Sequence, residues 1–197
     1  MLLRDTSRGY SFVEVVFVAG LVATMSGVAI PQVLSMLEDL RTAGAARYMA
    51  GCLQRARMEA IKRSAEVALQ FAPGNEGYGF AMYLDGDGNG VRTPDIVSGV
   101  DRRLGPVDRL ADKFPGVDFG ALAGLPAVDP GSQPPRGEPV RLGASRMASF
   151  AAIGTASSGS LYIRGRRTAQ YVVRLYGDTG KIRVLKFDSR SKKWKPA

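Results

Sequence analysis

The sequence predicts an α+β fold in which a long N-terminal helix packs on a C-terminal domain of antiparallel β-sheet. The first observation is an apolar run of 19 residues, from Phe12 to Ile30, with one charged side chain, Glu14. The second is an apolar periodicity of three to four residues that continues to Ser64. After Ser64 the pattern changes to short segments separated by glycine-containing turns, which is typical of antiparallel strands.

The apolar run has the length and flanks of a membrane-spanning helix. Such a helix needs about 20 predominantly apolar residues. The short polar stretch before it, Met1 to Gly9, carries Arg4 and Arg8, and cytoplasmic flanks of membrane helices are enriched in basic residues. We therefore predict a membrane span over residues 10–30, with the N-terminus in the cytoplasm and the rest of the chain on the other side.

Residues 34–64 contain no proline and predict the amphipathic half of the same helix. Pro31 lacks the amide hydrogen that the helix ladder requires, so we expect the helix to be broken or bent there. Apolar residues at spacings of three and four predict the face that contacts the following domain, and Met49, Leu53, Ala60 and Ile61 widen it. The central members of this face are Leu37, Leu40, Gly44, Tyr48, Cys52 and Ala56.

Residues 65–197 predict a single β-rich domain. Its first hairpin joins Val67–Phe71 to Tyr78–Leu84 around the turn Pro73-Gly74-Asn75. Further strands are predicted over 148–153, 160–164, 170–176 and 181–187. Residues 105–143 are rich in glycine and proline and predict a long loop, mobile in part, with at most one short strand.

The composition argues against an enzyme. The 197 residues contain no histidine, which excludes a Ser-His-Asp triad, a Cys-His pair and a His-ligated zinc site. One cysteine, Cys52, allows neither a disulfide within the chain nor a cysteine-rich metal site. We therefore expect no catalytic residues, no cofactor and no resident metal.

The basic surplus of the chain is confined to its end. The net charge is +9, and residues 164–197 alone hold 11 basic and 2 acidic side chains. Such a segment can track a phosphate backbone, with Trp194 available to stack on a base. The alternative is a solvated hairpin with outward basic side chains and a frayed tail. The residues predicted for nucleic-acid contact are Lys181, Arg183, Lys186, Lys192 and Lys193, with Arg190 and Lys195 nearby.

One acidic segment has the beginning of a calcium loop. Asp85, Asp87 and Asn89 place oxygen ligands at alternate positions before Gly90. An EF-hand loop needs a bidentate glutamate at its twelfth position, which here is Ile96. The flanks of the segment also have the pattern of strands rather than helices. We favour a glycine-rich turn between strands, and calcium binding stays open.

Glu14 needs a partner in the membrane. An ionisable residue in hydrocarbon costs roughly 2.5–3.5 kcal/mol on insertion scales, and no lysine or arginine lies between Tyr10 and Leu40. Cutting the chain after Gly9 would create an α-amino group on Tyr10, which is cationic near neutral pH because its ordinary pKa is about 7.7–8.0. Glu14 could pair with this amine in its own chain or in a neighbouring helix.

The segment Arg8-Gly9-Tyr10-Ser11-Phe12-Val13-Glu14 resembles the prepilin peptidase site of type IV pilins and type II secretion pseudopilins. The resemblance implies cleavage after Gly9, N-methylation of Tyr10 and assembly through Glu14, although phenylalanine or methionine is more usual than tyrosine at the new N-terminus. It gives residues 1–9 as a leader peptide. Helices of this family commonly carry a proline where Pro31 stands. The apolar residues expected to pack against other pilin or pseudopilin helices are Phe12, Val16, Leu21 and Val22.

Three later segments resemble the GspH/FimT group: Met82–Gly90, Ser149–Gly159 and Tyr171–Val184. The resemblance implies a pilin-like fold and a minor pseudopilin of a type II secretion system, which is a single-pass inner-membrane protein with its domain in the periplasm. The implied partners are prepilin peptidase, other pilins or pseudopilins, and an exported protein. The alternative is a FimT-like minor type IV pilin acting in pilus assembly or DNA uptake. Gly180-Lys181-Ile182-Arg183 is similar to the basic GRxR motif of DNA-uptake pilins, with lysine in place of the first arginine.

Overall fold

The computed structural model describes residues 9–197 of the chain. Most of the predicted leader, including Arg4 and Arg8, lies outside the described residues. Those residues form three helices and eleven strands. In chain order the elements are α1 Phe12–Arg63, β1 Val67–Gly74, β2 Gly77–Leu84, α2 Thr93–Ser98, β3 Arg102–Arg103, β4 Asp108–Arg109, α3 Leu110–Lys113, β5 Asp118–Phe119, β6 Val140–Arg141, β7 Met147–Phe150, β8 Gly159–Arg164, β9 Gln170–Tyr176, β10 Lys181–Asp188 and β11 Lys193–Pro196.

The chain divides into two compact units, one ending at Leu37 and the other running from Glu38 to Ala197. Helix α1 contributes residues to both. The helix continues through Pro31, so the predicted break is not found. A proline removes one amide donor from the ladder, and the hydrogen bonds of the flanking turns keep the segment helical.

Sheet A is built on the predicted hairpin. Strands β1 and β2 pair in antiparallel register from Val67 with Leu84 to Gly74 with Gly77, so Asn75 and Glu76 form the turn. Strand β7 pairs with the other edge of β1. The strand order is β3-β2-β1-β7, with β4 also paired to β2. The predicted hairpin is confirmed, but its turn is shifted from the predicted Pro73-Gly74-Asn75, because Pro73 and Gly74 still pair with β2.

The remaining strands form a second antiparallel sheet, sheet B. The sequence analysis predicted antiparallel strands but did not divide them between two sheets. Its order is β11-β10-β9-β8-β5, and β6 pairs with the free edge of β8 near that strand's start. Strand β11 was not predicted from the sequence, and it pairs with β10, with Trp194 opposite Phe187. The frayed tail that the sequence analysis gave as an alternative is therefore not found. One face of sheet B carries Tyr171, whose hydroxyl bonds to Asp39 of α1. We call the opposite face, which carries Tyr162, the outer face.

The core of the Glu38–Ala197 unit lies between α1 and the two sheets. Met49, Leu53, Ala56 and Ala60 of the helix are fully buried, and they share one cluster with apolar residues of both sheets. The buried face is therefore rotated from the predicted one. Leu40, predicted at its centre, is 57% exposed. The small alanines allow the helix backbone to approach the sheets closely, a contribution that a count of large apolar residues misses.

Residues 105–143 are more ordered than predicted. They contain the short strands β4, β5 and β6 and the helical turn α3. Leu110, Val117, Phe119, Leu125 and Val140 from this region are buried. Two-residue strands are too short to show the alternation from which strands are recognised, which explains why the sequence pattern indicated a loop.

Candidate functional site

The predicted processing site lies at the start of the described chain. Gly9 and Tyr10 are exposed and precede helix α1, which begins at Phe12. Glu14 lies in the first turn of the helix and is also exposed. The unbonded amide N–H groups of a first helical turn favour a carboxylate there. Gly9, Tyr10 and Glu14 thus lie within one short, accessible segment.

The first half of helix α1, which follows this segment, is apolar on all sides. Phe12, Val16, Leu21 and Val22 are 81%, 54%, 51% and 57% exposed, and at 100° per residue they point in different directions around the helix axis. Among the described residues, α1 is the helix long and apolar enough to cross a membrane by length and composition. The hydroxyl of Thr24 donates to the carbonyl of Leu21 at 2.8 Å, as a polar group in hydrocarbon requires.

The acidic segment after β2 forms a tight loop. The Asp85 carboxylate accepts the backbone N–H groups of Asp87, Gly88 and Gly90 at 3.2, 2.8 and 3.0 Å. Burial raises the pKa of Asp85, but these N–H groups outweigh it, so the pKa lies below its usual value. The Asn89 amide donates to the Asp87 carboxylate at 2.5 Å. Strand β2 precedes the loop as predicted, whereas the short helix α2 follows it in place of the expected strand.

Asp101 joins this loop from a distant position. It is buried and accepts the N–H groups of Gly86 at 3.1 Å and Arg92 at 2.9 Å. Carboxylate oxygens of Asp85, Asp87 and Asp101 all lie within 4.8 Å of one another. Oxygen ligands of this kind suit calcium, yet bonds to the protein's own backbone account for the arrangement.

The basic residues of the C-terminal strands are separated onto two faces of sheet B. Lys181 and Arg183 are exposed on the outer face. Lys186 lies on the opposite face, where its Nζ is 2.6 Å from the Asp39 carboxylate of α1. Lys195 is on the same face as Lys186 and pairs with Asp188. Of the residues predicted for nucleic-acid contact, Lys192 and Lys193 are also exposed, in the β10–β11 turn and at the start of β11.

Trp194 is packed within the domain. Its indole N–H donates to the carbonyl of Pro126 at 3.1 Å. Its ring lies 5.3 Å from that of Phe187 and 6.1 Å from that of Tyr162, measured between centroids. Trp194, which the sequence analysis considered for base stacking, thus contacts the segment 105–143 and other residues of sheet B.

Sequence reasoning missed the polar contacts that join α1 to sheet B. The Asp39 carboxylate accepts the Tyr171 hydroxyl at 3.1 Å, in addition to its ion pair with Lys186. Burial, followed by the Asp39 charge, raises the pKa of Tyr171 above its usual value. These partners are separated by more than 130 residues, so no local pattern signals them.

A second missed cluster lies on the other side of α1. The Tyr48 hydroxyl donates to the Asp108 carboxylate at 3.2 Å. Burial raises the pKa of Tyr48, and the neighbouring Cys52 and Asp108 raise it further. Burial also raises the pKa of the Cys52 thiol. A raised thiol pKa disfavours the nucleophilic thiolate, so this cluster has the properties of a packing contact between α1 and β4.

Comparison with known proteins gives two matches. A family model described as Type II transport protein GspH matches residues 45–179. Pilin-like protein PilA1 of Thermus thermophilus is 38% identical over 85 residues, which are 43% of this chain and 52% of that relative. The chain therefore spans about half the length of this curated relative. No solved structure matches significantly.

The match and the fold agree. The structure has the long N-terminal apolar helix and antiparallel sheets of a pilin-like α+β protein. The family is structural rather than enzymatic, and its match together with the apolar helix indicates a membrane-anchored subunit of pilin or pseudopilin type. Since the family model covers more than half of the sequence, the chain belongs to the GspH family of type II transport proteins.

Proposed function

We propose that the chain is a minor pseudopilin of a type II secretion system, a structural subunit of the periplasmic pseudopilus that supports protein export. The observation that carries this proposal is the first half of helix α1, residues 12–37, which is exposed, apolar on every side and interrupted by a single carboxylate, Glu14. The match of the following domain to the family described as Type II transport protein GspH also supports this role.

Prepilin peptidase would cut after Gly9 and methylate the new amine of Tyr10. Before assembly the helix anchors the subunit in the inner membrane, with the β-rich domain in the periplasm. In the pseudopilus, Phe12, Val16, Leu21 and Val22 would pack against neighbouring helices. Lipid tails are as apolar as these side chains, so burial alone gives little net driving force for association.

Glu14 supplies the directional contact. A carboxylate in an apolar assembly is stable only when it is paired, and the Tyr10 amine of a neighbouring subunit would provide the opposite charge. The pair sets the axial stagger of the helices, because it forms only when one amine reaches the next subunit's carboxylate. The periplasmic domain would then contact other minor subunits or the exported protein, without chemical turnover.

The test is Glu14→Gln, which removes the charge and keeps the side-chain size. Thr24→Ala is the control, since it removes a hydroxyl in the same apolar segment that bonds to its own helix. We expect Glu14→Gln to lower incorporation into pseudopili and export of the secreted protein at least about tenfold, the effect of losing about 1.4 kcal/mol. Thr24→Ala should behave as wild type. Equal behaviour of the two variants would exclude the pairing.

A second candidate is a FimT-like minor type IV pilin that binds DNA. The observation that favours it is the pair Lys181 and Arg183, exposed on one face of β10 within Gly180-Lys181-Ile182-Arg183. The full chain in detergent should then bind duplex DNA with a steep salt dependence. The double variant Lys181→Gln/Arg183→Gln should lose binding, whereas Arg102→Gln/Arg103→Gln, an exposed pair on β3 of sheet A with the same charge change, should retain it. No DNA binding at low salt would remove this candidate.

A further inference from the structure

Three arginines line up across the outer face of sheet B. Arg141 of β6 is opposite Ser160 of β8, Ser160 is opposite Arg174 of β9, and Arg174 is opposite Arg183 of β10. Directly opposed residues of antiparallel strands point to the same face of the sheet. Neighbouring strands are about 4.8 Å apart. Three guanidinium-bearing residues therefore share a single cross-strand row, which we call the arginine row.

The arginine row has too few counter-charges. The Asp129 carboxylate pairs with Arg174 at 2.6 Å and also accepts the Tyr176 hydroxyl at 3.1 Å. Within residues 9–197, neither Arg141 nor Arg183 forms an ion pair with a carboxylate. Like charges on directly opposed strands destabilise a sheet. The row therefore holds a surplus of positive charge that an anion would relieve.

A polar cavity of about 170 Å³ opens beside the Arg141 end of the row. Arg141 and Arg174 line it from the two strands that flank β8, and Ser160 and Tyr162 line it from β8 itself. Ser160 and Tyr162 are 7% and 1% exposed. Ser158 also borders the cavity. Two arginines and four hydroxyl-bearing residues, with Ser132 as the fourth, thus line one small space, and their side chains are donors of the kind that hold oxyanions.

The Arg141 guanidinium has donors left for such an anion. Its Nη1 donates to the carbonyl oxygens of Gln133 and Pro134. A guanidinium carries five N–H donors in total. Burial raises the pKa of Tyr162 above its usual value even though Arg141 and Ser160 lower it. The Tyr162 hydroxyl consequently remains protonated and able to donate at any physiological pH.

We propose that this cavity binds one tetrahedral oxyanion of the phosphate class. Donors that arrive from three adjacent strands suit a tetrahedral oxyanion, whose oxygens point in several directions, better than a planar carboxylate, whose two oxygens lie in one plane. The cavity volume admits a phosphate-sized group. The site is separate from Lys181, which lies outside the cavity lining, and it does not depend on the secretion or pilus role proposed above.

The test is isothermal titration calorimetry of the full chain in a non-ionic detergent, with inorganic phosphate titrated at constant ionic strength. Arg141→Gln removes the guanidinium that has no carboxylate partner. Arg164→Gln is the control, because it removes an exposed arginine of the same sheet that lies outside the cavity. We expect saturable binding of one phosphate, weakened at least tenfold by Arg141→Gln and unchanged by Arg164→Gln. If Arg141→Gln does not fold, Ser160→Ala should weaken binding several-fold instead.

Outcomes of three kinds would overturn the proposal. The first is no saturable heat from the wild-type chain. The second is an equal loss in Arg141→Gln and Arg164→Gln, which would mean general charge screening. The third comes from parallel titrations with acetate and with duplex DNA: acetate binding as tightly as phosphate would assign the cavity to carboxylates, and Arg141-dependent DNA binding that excludes phosphate would assign the arginine row to nucleic acid.

Discussion

Gln170 is the residue that ties the segment 105–143 to sheet B. Its side chain is fully buried. Its amide nitrogen donates to the carbonyls of Gly120, Ile163 and Tyr171 at 3.0–3.1 Å, and its oxygen accepts the Leu122 N–H at 3.0 Å. A buried polar side chain with every group bonded fixes one arrangement of the surrounding backbone.

We predict that Gln170→Leu lowers the free energy of unfolding by about 2–4 kcal/mol, because it leaves the Leu122 N–H and the Gly120 carbonyl buried without partners. Gln54→Leu is the matched control at an exposed position of α1 and should change stability by less than about 0.5 kcal/mol. Chemical denaturation of the full chain in detergent measures both. A similar small cost for the two variants would show that the Gln170 bonds do not hold the segment.

Tyr48 and Tyr171, whose hydroxyls bond to carboxylates, should make the free energy of unfolding fall at alkaline pH. The pKa values of Tyr48 and Tyr171 are raised in the folded chain, by burial first and then by nearby acidic groups, whereas the unfolded value is about 10. Their contribution is complete below pH 10 and is lost as the pH rises above it toward the folded values, since the unfolded chain releases its protons first. Tyr171→Phe should flatten this fall in denaturation measured across alkaline pH, and Tyr10→Phe should leave it unchanged. The opposite ranking would contradict the assignment.

Individual residues differ in how far the sequence reveals their role. Glu14 stands out because its apolar neighbours make a charge anomalous without any knowledge of the fold. Asp39 and Gln170 do not stand out, because their roles arise from partners that folding brings together over long sequence separations, 147 residues between Asp39 and Lys186. Local pattern carries information on the environment of a residue, and much less on its distant partners.

At the scale of elements, helix α1 changes character along its length. Its second half buries a face rich in alanine with Met49 and Leu53 at the centre. Met49 is fully buried, whereas Met58, two and a half turns later, is 57% exposed. The two methionines therefore offer the same substitution in two environments.

We predict that Met49→Ala lowers the free energy of unfolding by about 2–5 kcal/mol, because it leaves a cavity between α1 and the sheets. Met58→Ala should change stability by less than about 0.5 kcal/mol. Thermal or chemical denaturation of the two variants under identical conditions provides the measurement. A larger effect at Met58 would contradict the assignment of the buried helix face.

Length decided which elements the sequence could predict. Strands β1, β2, β9 and β10 are seven or eight residues long and were predicted within a few residues of their bounds. The two-residue strands β3, β4, β5 and β6 form only because longer strands beside them offer free hydrogen-bonding edges. Such pairing is a tertiary event, so the sequence of the short segment does not encode it visibly.

At the scale of the whole chain, the distribution of charge matters more than its total. The composition places nine surplus positive charges near the end of the sequence. The fold neutralises part of them, since Lys186 and Lys195 pair with Asp39 and Asp188. It also concentrates others, because strand register aligns Arg174 and Arg183 with Arg141 from the segment 105–143. The candidate anion site could not be predicted from the sequence, since its first arginine lies in a segment without strand pattern.

The central claim is that cleavage after Gly9 converts the chain into a subunit whose new amine pairs with Glu14 of a neighbour. Mass spectrometry of the protein purified from its native membranes tests the claim most directly. We expect a mature chain that begins at Tyr10 and carries one methyl group on its α-amino nitrogen. A chain that retains residues 1–9 would contradict it, because no amine would then be available beside Glu14.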